Sequence, residues 1–275
     1  MDYVVYSNGC FSCGAQASIS PLDLSVLRGY GVNDYTRTYN RIPYMLDRHI
    51  ARLFTSARTV QIEPPIPHSM VKKITYDLIE RMPGGELGIK FLITGGISDD
   101  QFLPGTSPQF VAAAYPHVPF PSWCYEQGVK LPLEIYERSF PTAKTTQYLP
   151  AVVAMSKAAE QGFIDVLFTS RSGDILESTT ANFFAIIDDT FLTPSKGVLK
   201  GITRDVVIEI SGAKEEIIHR SQIPLFDGAF LTSSNKEIMP VTQIGGQFIN
   251  NGKIPKSIIK LMEQFNSNVN LQKII

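Results

Sequence analysis

The chain has 275 residues, is 44% hydrophobic and 19% charged, and carries a formal net charge of −1 with a pI of about 6.4. That length supports one large domain or two modest ones around real cores, and that charge gives no basis for a nucleic-acid partner or an anionic membrane surface. The N-terminus MDYVVYSNGC lacks a basic start and no apolar stretch approaches about 18 residues, so neither a signal peptide nor a membrane span is expected.

In chain order, residues 3–6 and 11–18 read as a hairpin around Asn8-Gly9. Residues 32–39 alternate as a strand that turns at Asn40-Arg41. Leu46, Ile50, Leu53, Ala57 and Val60 fall on one face of a helix running from Leu46 to about Val60. Val71, Ile74, Leu78 and Met82 define a second helix from about Ser69, stopped by Gly84-Gly85. Strands are expected at Leu87–Thr94 and Gln109–Ala114. Tyr115–Ser122 holds three prolines, which neither donate to a ladder nor continue a helix. The domain boundary belongs there, giving domains 1–118 and 125–275 joined by a linker at 119–124.

Beyond it, Val129–Tyr136 reads as one strand and Leu149–Gln161 as a helix ended by Gly162. Ile164–Ser170, Ile175–Ile187 and Thr190–Leu192 read as strands with turns at 171–174 and at Asp188-Asp189. Thr203–Ser211 is a short helix before Gly212. Further strands at Glu216–Arg220, Ala229–Thr232 and Gln247–Ile249 precede a C-terminal helix, Ile254–Phe265. Helices decorating strands place the fold in the α+β or mixed α/β class.

The three cysteines, an odd number, favour a reduced, cytoplasmic setting. Cys10 and Cys13 form a C-x-x-C, but a zinc site needs two more ligands and a redox pair needs a helix start after the motif. Small residues in a hairpin are the simpler reading, and no metal is expected.

Three features suit a pyridoxal phosphate (PLP) site. Lys144, just before a helix, can hold an aldehyde as a Schiff base and carry a proton. Glu177 sits in an apolar run, where a carboxylate needs a partner: a protonated pyridine nitrogen, or an arginine such as Arg171. Gly201-Ile202-Thr203-Arg204 opens a helix whose first N–H groups and Thr203 hydroxyl can cradle a phosphate. The same motif is also an ordinary helix cap. Arg52, on the first long helix, offers a bidentate fork to an anion, as does any surface arginine. Ser233-Ser234 end a strand and fit either an anion site or a turn.

Taken in order, Asn8-Gly9, Asp23, Gly29-Tyr30-Gly31, His49-Ile-Ala-Arg-Leu53, Lys144, the Glu177–Phe184 run, Thr193-Pro194, Gly201–Arg204 and Pro240-Val241 resemble the class IV PLP-dependent aminotransferases of fold type IV. That group spans branched-chain and D-amino-acid transaminases and aminodeoxychorismate lyases. The resemblance implies an α+β (mixed α/β) enzyme of two domains with PLP at their interface, assembled as a homodimer. It assigns the Schiff base to Lys144 and the pyridine nitrogen to Glu177. It assigns the phosphate to Arg52, Gly201, Ile202, Thr203, Ser233 and Ser234, and a place near the ring oxygen to Tyr148.

Substrate positions depart from the pattern. Asn33-Asp34 stand where the family has an aromatic-Glu pair, and Gly95-Gly96 where some D-amino-acid transaminases have an arginine. Arg28 resembles an arginine of a less common D-amino-acid subgroup, which also carries one where this chain has Thr180. Substrate contacts are therefore expected around Arg28, Tyr30, Asp34 and Gly95. The expected activity is transamination of small or apolar amino acids, with aminodeoxychorismate lyase as the alternative. A PLP carrier without turnover is disfavoured by the retained lysine and glutamate.

Overall fold

The computed structural model describes residues 3–271, which fall into two compact units. The first extends to Val118 and also takes in Ala143–Gln147; the second comprises Pro119–Thr142 and the chain from Tyr148 onward. The sequence places Lys144 with the later domain, whereas its short segment belongs to the first unit through backbone bonds to a strand there.

The first unit contains β1 (Val4–Ser7), β2 (Cys10–Cys13), α1 (Leu24–Arg28), β3 (Gly31–Tyr39), β4 (Ile42–Pro43), α2 (Leu46–Thr59), α3 (His68–Arg81), β5 (Leu87–Thr94) and β6 (Gln109–Pro116). Its sheet has the order β2-β1-β6-β5-β3-β4 and is antiparallel throughout. Helices α2 and α3 lay Ile50, Leu53, Val71, Ile74 and Leu78 against Ile89, Phe91, Ile93, Ala112 and Ala114. Side chains alternate across a strand, so those positions mark the helix-covered face. Asn33, Tyr35, Arg37, Gly88, Lys90, Tyr115 and His117 belong to the opposite one.

The second unit contains α4 (Trp123–Glu126), β7 (Val129–Leu131), β8 (Leu133–Ile135), α5 (Leu149–Glu160), β9 (Leu167–Thr169), β10 (Ile175–Ser178), β11 (Asn182–Ile187), β12 (Thr190–Pro194), α6 (Ile202–Ser211), β13 (Lys214–Glu216), β14 (Gly228–Ser233), β15 (Glu237–Ile244), β16 (Gln247–Phe248) and α7 (Lys256–Leu271). Its main path runs β16-β15-β14-β11-β10-β9-β8, with β12 on β11, β13 on β12 and β7 on β15. Phe183, Leu231, Met239 and Val241 centre its core.

Several expected elements differ. The strand expected at Val129–Tyr136 divides at Pro132, which has no N–H for a ladder; β7 then pairs with β15 and β8 with β9. The strand expected at Ile175–Ile187 folds into a hairpin, because Ser178 binds the N–H and carbonyl of Ala181. Only Cys10–Cys13 of residues 11–18 remains a strand before a short 3-10 turn at Gly14–Gln16. Strand β13 shares only Glu216 with the expected Glu216–Arg220, and α7 outruns its expected end. Strand β15 is hidden in the sequence by Pro240, which sits opposite Phe230 just before the pairing with β7 begins at Val241.

Candidate active site

Lys144 is fixed through its main chain. Its N–H donates to Ser56 Oγ on α2 at 3.1 Å, and its carbonyl accepts from the N–H of Asn33 at 2.8 Å. The Asn33 amide donates to the Thr145 carbonyl at 3.0 Å, and the Thr146 N–H to the Gly31 carbonyl at 2.9 Å. The segment thus lies along the start of β3 like a short added strand, bridged at Val32 and Thr145. Asn33 and Ser56 carry no local signal for this task, since their partners lie far off in sequence.

Arg52 and Asp34 form a fork-to-fork pair. Arg52 Nε donates to Asp34 Oδ2 and Nη2 to Oδ1, both at 2.8 Å, while His49 Nδ1 lies 2.7 Å from Oδ1. Asp34 is fully buried. Burial pushes its carboxyl up, but Arg52 and His49 outweigh that and hold it well below the usual carboxylate range. Burial also pushes His49 down, towards the neutral ring. The expectation that Asp34 meets substrate is corrected here: both oxygens are taken inside the unit, so its work is to orient Arg52. Asp34 occupies two of the five guanidinium donors and fixes their plane.

The other expected substrate positions lie near the same end of the first sheet. Arg28 is exposed at the end of α1. The Tyr30 hydroxyl donates to the Val60 carbonyl at 2.8 Å. Gly95 is buried beneath Tyr30, whose ring a Cβ at 95 would strike.

In the second unit, Glu177 of β10 is opposite Asn182 of β11, which is opposite Thr232 of β14, so the three share one face of the sheet. Arg138 Nη1 donates to Glu177 Oε1 at 2.8 Å; the Asn182 amide and the Leu199 N–H donate to Oε2 at 3.2 and 3.0 Å. Three N–H donors therefore converge on one buried carboxylate and fix its plane. Arg171, weighed as the ionic partner from sequence, is exposed, and its backbone N–H donates to Glu137 instead. Arg138 takes that place because β8 feeds it towards the hairpin end, which spacing along the chain does not reveal.

Asn182 also links Glu177 to the start of α6. Its amide donates to the Leu199 carbonyl at 2.8 Å, and a Cβ at Gly201 would overlap its Oδ1. Gly201 is thus required by close packing on Asn182. Ile202 and Thr203 are buried in the first turn of α6, which no side chain caps. Arg204 turns away, to Glu215 Oε2 at 2.7 Å and the Pro194 carbonyl at 3.1 Å. Ser233 Oγ accepts from the Lys236 N–H at 3.1 Å, with Ser234 half-buried on the same turn. Tyr148 precedes α5 and packs with Ala151, Ala154 and Phe168.

These residues suit a phosphorylated pyridine. The uncapped first turn of α6 offers N–H donors to an anion. The Thr232 hydroxyl, on the row of Glu177 and Asn182, is buried without a hydrogen-bond partner. Cys10 and Cys13 are exposed on one strand, about 10 Å apart at 3.3 Å per residue, beyond disulfide reach. Among the described residues, no group of three or more His, Cys, Asp or Glu could hold a metal, and no helix is long and apolar enough to cross a membrane.

The chain is 30% identical to the "Putative branched-chain-amino-acid aminotransferase" of Methanocaldococcus jannaschii, covering 95% of this chain and 94% of that one. It is 26% identical to the D-alanine aminotransferase of Bacillus licheniformis (90% of each chain) and 26% to the aminodeoxychorismate lyase of Bacillus subtilis (88% and 86%). Its fold matches the T.th. branched-chain amino acid aminotransferase solved with pyridoxamine 5'-phosphate at a TM-score of 0.90, 22% identity, and 97% and 93% coverage. The family model for amino-transferase class IV matches residues 31–244, and the chain belongs to that family of enzymes.

Proposed function

We propose that the protein is a PLP-dependent transaminase of small or apolar amino acids. The observation that carries this reading is the clamp joining Glu177, Asn182 and Leu199 to the uncapped start of α6. It supports Glu177 as an acceptor for a pyridine N–H and the first turn of α6 as a set of donors for a phosphate. Glu177 would face the ring nitrogen. Arg52, Gly201, Ile202, Thr203, Ser233 and Ser234 would hold the phosphate, and Tyr148 would lie near the ring oxygen.

PLP, when bound, supplies an electron sink for bonds at the substrate Cα. This chain's residues do the rest. Lys144 Nζ receives the Cα proton and returns it, while Ser56 and Asn33 hold its main chain in place. Arg138 and Asn182 keep the Glu177 carboxylate from turning. Asp34 does the same for Arg52.

A homodimer and a cytoplasmic setting belong to the same reading and rest on the family resemblance. Aminodeoxychorismate lyase is the second reading, favoured by the relative of that name. Mixing the PLP-loaded protein with D-alanine, L-leucine or aminodeoxychorismate separates them. Keto-acid release with a lasting change in cofactor absorbance supports transamination. Pyruvate and an aromatic amine without that change support the lyase. No reaction with any of the three refutes both.

A further inference from the structure

Two turns lie at one end of the second sheet. Residues 178–181 join β10 to β11 and stand between Glu177 and Asn182. Residues 233–236 join β14 to β15 and include Ser233 and Ser234. Strands β11 and β14 pair from Ile186 and Gly228 up to Asn182 and Thr232. Past that row the ladder ends, so backbone pairing between these strands no longer fixes one turn against the other.

A buried ion pair crosses between them. Lys236 is only 4% exposed; its Nζ lies 3.0 Å from Asp165 Oδ2 and donates to Thr180 Oγ1 at 2.6 Å. The Phe120 ring lies 5.2 Å from the same nitrogen. Asp165, fully buried just before β9, also accepts from Ser178 Oγ at 2.9 Å, from the Thr179 N–H at 3.0 Å and from the Thr179 hydroxyl at 2.6 Å. One carboxylate thus holds two successive residues of the first turn, and Lys236 brings the second turn to it. The main chain of Lys236 is fixed as well: its N–H donates to Ser233 Oγ at 3.1 Å, and its carbonyl accepts from the Tyr125 hydroxyl at 3.3 Å. Burial pushes the Asp165 carboxyl up, but Lys236 and the Thr179 hydroxyl outweigh that and hold it below the ordinary carboxylate range.

Stability alone does not account for such a pair. Two charges must be stripped of water, and well-packed apolar residues in place of a buried pair are often as stable or more so. What the pair adds is direction, because an ammonium and a carboxylate with every bond to satisfy accept few arrangements.

We infer that Lys236 and Asp165 are positioning residues for the cofactor, forming a buried strut that holds the turn of Ser233 and Ser234 in place relative to Glu177. This rests on the PLP reading above, in which that turn takes the phosphate and Glu177 the ring nitrogen. Both residues act through the turns and not on the cofactor itself. The strut sets the span between the two ends of one rigid ligand, and a site whose supporting residues are loosened loses its fit to that ligand.

The affinities of the apo-protein for PLP and for pyridoxal, which lacks the phosphate, test this. Pyridoxal uses the ring end alone. A general loss of stability therefore weakens both ligands, whereas a displaced turn weakens PLP and lowers the preference for it. Lys236→Met combined with Asp165→Asn removes both charges and strands neither. Calorimetric melting of this double variant is expected to stay close to the parent protein. PLP should nevertheless bind about tenfold more weakly, with pyridoxal changed by less than about threefold. Thr180→Val removes one acceptor from Lys236 Nζ and leaves the ion pair, so it should lower the preference for PLP several-fold. A preference unchanged in the folded double variant, or in Thr180→Val where the double variant does not fold, overturns the strut. Parent protein that binds neither ligand overturns the PLP reading instead.

Discussion

Replacing Asp34 with alanine decides between two roles for that residue. In the structure its carboxylate is fully buried and accepts two hydrogen bonds from Arg52 and one contact from His49. Truncation leaves the Arg52 guanidinium, whose side chain is 14% exposed, without its counter-charge. Breaking a buried pair from one side costs about 3–5 kcal/mol, mostly because the remaining charge stays desolvated. At roughly 4 °C per kcal/mol for a unit of this size, the first melting transition should fall by about 12–20 °C. PLP affinity should fall as well, since the Asp34 fork no longer fixes the plane of Arg52. Calorimetric melting of the apo-protein with a cofactor titration measures both. Were Asp34 instead a substrate contact, the variant would melt normally and show only a raised KM. That outcome would refute the argument from the ion pair.

Gly201→Ala puts a Cβ into Asn182 Oδ1; overpacking of this kind costs about 1–3 kcal/mol, so urea unfolding should move to lower concentration and PLP should bind more weakly, and an unshifted midpoint would contradict the packing. Arg138→Met should lower stability by about 2–3 kcal/mol by stranding Glu177, and Glu177→Gln in the same chain should restore most of it; no recovery in this double-mutant cycle would mean that Arg138 acts through other contacts. Lys144→Ala should stay folded yet lose both the visible absorbance of lysine-bound cofactor and the peptide labelled at 144 after borohydride reduction; a label elsewhere moves the attachment point. His49 and His117 both have folded values below the ordinary histidine range. The unfolded chain therefore takes up protons near pH 6.5 before the folded one does, so stability should fall as pH drops from about 6.5 towards 4. The limit is about 1.4 kcal/mol per pH unit for each ring, less for half-buried His117. Melting of His117→Gln across that range should show a shallower decline, and an identical slope would remove His117 from the account.

Periodicity alone located α2 and α3, because a helix packed on a sheet must present an apolar stripe, and Leu46 to Val60 spells one. The order of Lys144, Glu177 and Gly201–Arg204 likewise stood in the sequence, since each chemical task calls for one residue type. The roles of Asn33, Ser56, Arg138 and Asn182 did not, because hydrogen bonds such as the one from Asn33 to the Lys144 carbonyl join residues more than a hundred positions apart. Nor did the sequence distinguish Arg138 from Arg171 as the partner of Glu177, or a substrate contact from an ion-pair partner at Asp34. Those choices depend on which strands become neighbours and in what register. Register is settled by burying whole faces at once, so it is a property of the folded sheet and of no single segment within it.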